Sequence, residues 1–206
     1  MNLKHNVWFF TDGFDKKTCN NIIKNIKKFE SKKGKVGGTD NQTELNKKTR
    51  DSNVRWVQDP DIYEKINYFV NLANKNAGWN FDINWNESIQ FTEYKPKQYY
   101  NWHTDQWDAP YVDHVFPQYN NKIRKISCSV LLNDPQSYEG GDFEIGFTNK
   151  LCNGTVDDTK LKLEKGKILK QGSVIIFPSF VWHRVTPIKK GIRYSLVNWA
   201  LGPPYV

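Results

Sequence analysis

The spacing of hydrophobic residues changes character near residue 80 of this chain. Upstream, apolar positions recur every three or four residues; downstream, they fall into short runs divided by turn residues. Val7–Phe10 reads as an opening strand. Asp15 then suits a helix N-cap, followed by Cys19, Ile22, Ile23, Ile26 and Phe29, a spacing that makes one apolar stripe on a Lys- and Asn-rich surface. Val54–Val57 predicts a second strand. Asp59 and Pro60 open a second helix, with Ile62, Ile66, Phe69, Val70 and Ala73 as its stripe and Gly78 as its stop. Both helices read as packing on a sheet. From Phe81 onward the pattern predicts strands at Ser88–Tyr94, Tyr99–His103, Lys125–Leu132, Asp142–Phe147, Ser173–Phe177, His183–Val185 and Tyr194–Ala200. Asn133-Asp134-Pro135 and Glu139-Gly140-Gly141 supply turn punctuation. Helices followed by many short strands predict a mainly β fold with supporting α-helices, a double-stranded β-helix of the jelly-roll or cupin-like kind. One domain over 1–206 is expected, with helical support over about 1–80 and a β-core over about 81–206.

Composition sharpens this picture. Aromatics make up 15% of the 206 residues, which fits pleated, half-buried surfaces. Two stretches lack periodicity. Ser31–Lys48 is polar and contains Gly34, Gly37 and Gly38, and Gln106–Tyr119 is rich in aromatics; each is a candidate lid. The net charge of +8 is concentrated in Lys24–Arg50 and Lys160–Lys170. It reads either as a solvated Lys-rich surface or as attraction to an acidic partner or nucleic acid. No zinc-finger spacing or Gly-rich phosphate loop supports nucleic acid. Cys19, Cys128 and Cys152 are widely spaced and odd in number, which argues against a disulfide framework and for a reducing compartment. With no signal-peptide core and no membrane-length apolar run, a cytoplasmic protein is expected.

The candidate chemistry lies in the β-rich half. His103 and Asp105 are one residue apart, and strand alternation permits both to face one way. His183 follows 80 positions later, at the end of an apolar strand and a turn. Two imidazoles and a carboxylate on one face of Fe(II) leave the opposite coordination positions open for a cosubstrate and O₂. Arg193, ten residues after His183, is placed to clamp an acidic cosubstrate. Any of these residues alone reads as ordinary polar surface or structural histidine; the four together point to a non-haem iron, 2-oxoglutarate-dependent oxygenase. His5 and His114 make poorer ligands, and without a fourth ligand or Cys cluster a closed structural zinc site is not indicated.

From about Ile89 to Trp199 the chain resembles the prolyl 4-hydroxylase-like branch of the Fe(II)/2-oxoglutarate dioxygenases, including the bacterial PKHD-type hydroxylases. The resemblance implies His103, Asp105 and His183 as iron ligands. It implies Arg193, Tyr94 and Ser195 at 2-oxoglutarate, and Tyr100, Trp199, Arg124 and Trp107 on the substrate side. Ascorbate is then a candidate reductant. Two departures stand out: Lys97 occupies a turn where the family often has Gly, and Gly140-Gly141-Asp142-Phe143 replaces Gly-Gly-Glu-Thr. The implied activity is hydroxylation of a prolyl or other peptidyl C–H bond. The alternatives are a small-molecule or amino-acid hydroxylase of the same superfamily and a non-catalytic jelly-roll binding module. Nucleic-acid dealkylation ranks lowest, because Trp199 stands where such enzymes carry a second Arg. Membrane partners are not indicated, and oligomeric state is not legible.

Overall fold

Side-chain oxygens start both helices where the sequence supplies them. In this computed structural model, which describes residues 3, 5–37, 43–44, 48–146 and 160–205, helix α1 spans Lys16–Ile26. The Asp15 carboxylate accepts the Thr18 N–H at 2.8 Å. Helix α2 spans Pro60–Asn76, and Asp59 accepts from the N–H groups of Asp61 and Ile62. These caps satisfy donors that have no partner inside the helix. After α2, Gly78 takes a φ of +72°, the left-handed exit that costs a glycine little. The buried stripes are Cys19, Ile22 and Ile26 on α1 and Ile62, Ile66, Val70 and Ala73 on α2. Ile23 and Phe69 are partly buried. Phe29 departs from the expected stripe: α1 has ended by then, and the residue is exposed.

The main strands are β1 (Trp8–Phe10), β2 (Asn53–Val57), β3 (Ile89–Tyr94), β4 (Tyr99–His103), β5 (Ile123–Leu131), β6 (Phe143–Gly146), β7 (Val174–Pro178), β8 (Trp182–Val185) and β9 (Arg193–Gly202). Phe147 and Cys152 lie outside the described residues. The larger sheet runs β1-β7-β5-β9-β3-β2, with Lys32–Lys33 added at the β2 edge and Trp85–Asn86 beside β9. The smaller sheet runs β6-β8-β4, with Lys160–Lys162 at one edge and Arg50–Asp51 at the other. Pairing is antiparallel in both. The architecture is the double-stranded β-helix that the strand pattern predicts.

Alternation along the strands divides the core in two. Phe91, Cys128, Ile176 and Leu196 pack with the helices on the outer face of the larger sheet. Leu131, Phe143, Ile145, Ile175 and Phe177 fill the space on its inner side. Because β7 is buried on both faces, it reads as a continuous apolar run rather than an alternating one.

The stretch expected to be irregular is partly strand. Lys32–Lys33 pairs with β2 and Val36–Gly37 pairs with Thr43–Glu44, while residues 38–42 and 45–47 lie outside the described part. Within 106–119 the regular structure is a 3₁₀ turn at Pro117–Tyr119. Among the described residues, no helix is long and apolar enough to cross a membrane.

Candidate active site

β4 and β8 lie side by side, with His103 directly opposite His183. The next pairing is Val185 with Tyr100, so β4 carries one extra residue there. Such a bulge bends a strand and re-aims its side chains. Asp105 comes after β4 has ended. Its N–H and that of Gln106 both donate to the Ser179 carbonyl, at 2.9 and 3.0 Å, so a bend brings the carboxylate to the rings. This corrects the expectation that simple strand alternation would align His103 and Asp105.

The carboxylate bridges the two imidazoles. Asp105 Oδ1 lies 3.7 Å from His103 Nε2, and Oδ2 lies 3.4 Å from His183 Nε2. The three ligand atoms fall within 4.8 Å of one another and all three residues are buried. His103 Nδ1 is 2.8 Å from the Asn101 carbonyl and His183 Nδ1 is 3.0 Å from the Val181 carbonyl. A carbonyl can only accept, so each Nδ1 carries the proton and each Nε2 offers its lone pair to the cluster. Burial, then the neighbouring His183, holds the His103 pKa well below its ordinary range. For Asp105, burial alone would raise the pKa; His183, His103 and Arg124 outweigh it and hold the carboxyl at about 2. The set is therefore two imidazole nitrogens and one ionised carboxylate, which fits Fe(II) with open positions. Among the described residues, no other His, Cys, Asp and Glu form such a cluster. His5 packs edge-on against Trp8, and His114 stacks on Tyr119.

A cation faces the same pocket. Arg193 opens β9 opposite Tyr94, the last residue of β3, and is only 2% exposed. Its Nη1 donates to Ser195 Oγ at 3.1 Å, and its Nε has no hydrogen-bond partner among the described residues. Among the described residues, no carboxylate lies within ion-pair distance of it. Burying an unpaired guanidinium is costly, so an anionic partner is the natural counterpart. The Tyr94 ring lies 5.7 Å from it, and burial raises the Tyr94 pKa, which keeps the hydroxyl protonated. Tyr138 also puts a buried hydroxyl beside Arg193. At Gly141, with φ +62°, an added Cβ would fall 2.3 Å from Ile188 Cδ1 and 3.3 Å from Arg193 Cδ. The Gly140-Gly141 turn thus lets the chain close over this end of the pocket. The three metal-type ligands, Arg193, Tyr94 and Ser195 line one space between the sheets. That arrangement fits 2-oxoglutarate, with one end at the metal and the far carboxylate at Arg193.

The other side of the cluster is aromatic and basic. Tyr100 stacks on the His103 ring at 3.4 Å and 8°, and burial pushes its hydroxyl up to about 12. The Arg50 guanidinium lies 4.6 Å from the Tyr100 ring centre. Arg124 packs its guanidinium 4.0 Å from the Trp199 ring centre and 5.5 Å from that of Trp107. It makes two 2.6 Å bonds to Glu87 and one of 3.3 Å to the Asp105 carbonyl. Tyr111 donates to the same Glu87 at 2.9 Å, tying the 106–119 loop to the site. Arg50, Glu87 and Tyr138 belong to no motif in the sequence. Only the Gly140-Gly141 turn next to Tyr138 offered a local signal.

Two cavities continue outward. One of about 320 Å³ is lined by Lys32, Lys35, Arg50, Trp56, Trp107 and Trp199. Another of about 530 Å³, sharing Trp56, Trp107 and Arg124 with the first, runs along Tyr111, Phe116 and Tyr119.

Solved structures of similar fold include a Pseudomonas putida prolyl-4-hydroxylase, with TM-score 0.66 and 16% identity over 96% of this chain and 92% of that one. Another is a viral collagen prolyl hydroxylase from Paramecium Bursaria Chlorella virus-1, with TM-score 0.62 and 19% identity over 97% of each chain. In sequence, a PKHD-type hydroxylase of Hyphomonas neptunium is 38% identical over 74 residues, 36% of this chain and 27% of the relative. One of Crocosphaera subtropica is 30% identical over 112 residues, 54% of this chain and 41% of the relative. The chain thus aligns with less than half the length of these curated relatives. The sequence profile described as the 2OG-Fe(II) oxygenase superfamily matches residues 89–201, more than half of the chain. That span holds the His-Asp-His cluster and Arg193 alike, and the chain belongs to the 2OG-Fe(II) oxygenase superfamily.

Proposed function

We propose that this chain is an Fe(II)- and 2-oxoglutarate-dependent hydroxylase acting on a prolyl or other peptidyl C–H bond. The observation that carries the reading is the buried, carboxylate-free Arg193 sharing one pocket with His103, Asp105 and His183. A non-catalytic jelly-roll module has no use for that pairing. When bound, iron with 2-oxoglutarate and O₂ supplies an oxidation that yields succinate and CO₂ and places one oxygen atom in the substrate C–H bond. His103, Asp105 and His183 hold the metal, with both rings oriented by their Nδ1–H bonds to backbone carbonyls. Arg193 and Ser195, with the Tyr94 hydroxyl, fix the far carboxylate of the cosubstrate. Tyr100, Trp199 and Trp107 exclude water on the substrate side, and Arg124 steadies the Asp105 backbone from beneath Trp199.

An extended substrate is favoured by the two linked cavities, which lead away from the site past Trp107. A free amino acid would call for a closed pocket instead. The relatives, prolyl and PKHD-type hydroxylases, support the same class of reaction.

The test is succinate formation from 2-oxoglutarate with and without Fe(II), in wild type and His183→Ala, followed by a mass-spectrometric screen of proline-containing peptides for gain of one oxygen. Iron-dependent turnover lost in the variant is the expected result. Failure of the iron-loaded, anaerobic protein to bind 2-oxoglutarate would sink the proposal.

A further inference from the structure

The cavity nearest the site has an uneven charge. Five basic side chains line it (Lys32, Lys33, Lys35, Arg50 and Arg124), and the sole carboxylate on its wall is Asp105. Two of the five are already matched: Lys33 pairs with Asp51 at 2.9 Å, and Arg124 with Glu87 at 2.6 Å. Lys32, Lys35 and Arg50 pair with no carboxylate among the described residues. Arg50 is the most constrained of them, at 6% exposure. Its Nε donates to Ser52 Oγ at 2.8 Å and its Nη1 to the Lys35 carbonyl at 3.1 Å, which leaves Nη2 without a partner among the described residues. Gly34 closes on it so tightly that an added Cβ would lie 2.6 Å from Arg50 Nε. The guanidinium is therefore fixed in place, with the single ring of Tyr100 between it and the metal-type ligand His103.

The opposite arm of the groove differs. It is lined by Tyr111, Val115, Phe116 and Tyr119, and Val115 and Phe116 are largely exposed. Cations at one end and apolar rings at the other suit a chain that carries its negative charge locally. A nucleic-acid strand, charged at every phosphate, would meet Asp113 and Glu87 in the apolar arm.

We infer that the substrate is a peptide with an acidic residue flanking its target residue, read by Arg50, Lys32 and Lys35, and with apolar residues on the far side. Arg50 lies 4.6 Å from the Tyr100 ring, itself 3.4 Å from that of His103, and an extended chain advances about 3.3 Å per residue, so the acidic group falls roughly two positions from the reacting one. Fixed donors facing a carboxylate give specificity as well as attraction. The inference rests on the peptidyl reading above and names the substrate class of that site.

The experiment uses short fluorescein-labelled peptides with a central proline, flanked by Asp and Glu or by the isosteric Asn and Gln. Binding to the full chain is read by anisotropy without iron turnover. Succinate formation is measured separately on the same preparation, so loss of catalysis and loss of acidic preference are told apart. The acidic peptide is expected to bind about 10-fold tighter, with the advantage shrinking as salt rises. In the surface variant Lys32→Ser/Lys35→Ser the preference should fall to about 3-fold or less while 2-oxoglutarate binding is unchanged, and in Arg50→Gln the preference should fall further. The double variant keeps the test alive should Arg50→Gln not fold. Equal binding of the two peptides by wild type, a preference untouched by the double variant, or tighter binding of a single-stranded oligonucleotide or free N-acetyl-aspartate would each overturn the inference.

Discussion

Arg193 makes the most specific demand of any residue in this molecule, because its charge is buried and its geometry is set by Ser195. A charge-assisted bond is worth about 1.5–3 kcal/mol, so Arg193→Met should raise the KM for 2-oxoglutarate by roughly 10- to 100-fold. Arg193→Lys should fall between, since an ammonium lacks the planar fork. Metal affinity, followed by Mn(II) titration, should not move; an unchanged KM would remove Arg193 from the cosubstrate. Glu87 is the counterpart at the Arg124 side of the cluster. Glu87→Ala leaves the Arg124 guanidinium buried without its partner, a loss of about 3–5 kcal/mol by analogy with other broken buried pairs. Denaturant unfolding would measure it, and a loss below about 1 kcal/mol would place the pair among weak surface contacts. The His-Asp-His cluster and Arg193 were legible in the sequence because their spacing has chemical meaning by itself. Glu87 and Arg50 were not. Each is a lone polar residue in its local sequence, and its role exists only once Arg124 or Tyr100 arrives from a distant segment.

At the scale of elements, the strands were readable because burial repeats with their period, and β4 was predicted with its observed limits. What escaped were pieces too short to have a period, such as Lys32–Lys33 and Arg50–Asp51, which exist only because a sheet edge is there to pair with. The bulge in β4 and the bend that carries Asp105 were equally silent, since both are set by partners on β8 and at Ser179. The turn between β3 and β4 holds the one sequence departure with a backbone consequence. Lys97 sits at φ +72°, a left-handed conformation, and donates its N–H to the Ile188 carbonyl at 2.8 Å. A side chain there costs about 1–2 kcal/mol, against roughly 0.5–1 kcal/mol of extra unfolded-state freedom for glycine. Lys97→Gly should therefore stabilise the fold by about 0.5–1 kcal/mol and raise the Tm by roughly 1–4 °C. A lower Tm would show that the lysine side chain contributes something the backbone argument omits.

For the whole molecule, the sequence carried the fold class because helices on one side and strands on the other separate along the chain. It could not carry the way the two sheets share the site. His103 and His183 stand on the smaller sheet, whereas Arg193 stands on the larger. A ligand bound only by the folded state at 100 times its Kd stabilises it by about 2.7 kcal/mol, worth roughly 5–10 °C in Tm at this size. Mn(II) should give such a shift in wild type, 2-oxoglutarate should add to it, and His183→Ala should lose most of both; equal shifts in the variant would point to metal bound elsewhere. On the proposed reading, the cosubstrate is a strut that braces one sheet against the other, gripped at the metal end and at the arginine end. Succinate is one carbon shorter and lacks the 2-oxo group, so it cannot hold both ends as its precursor did. Each turnover would then cut its own brace, so the grip across the two sheets weakens as the product forms.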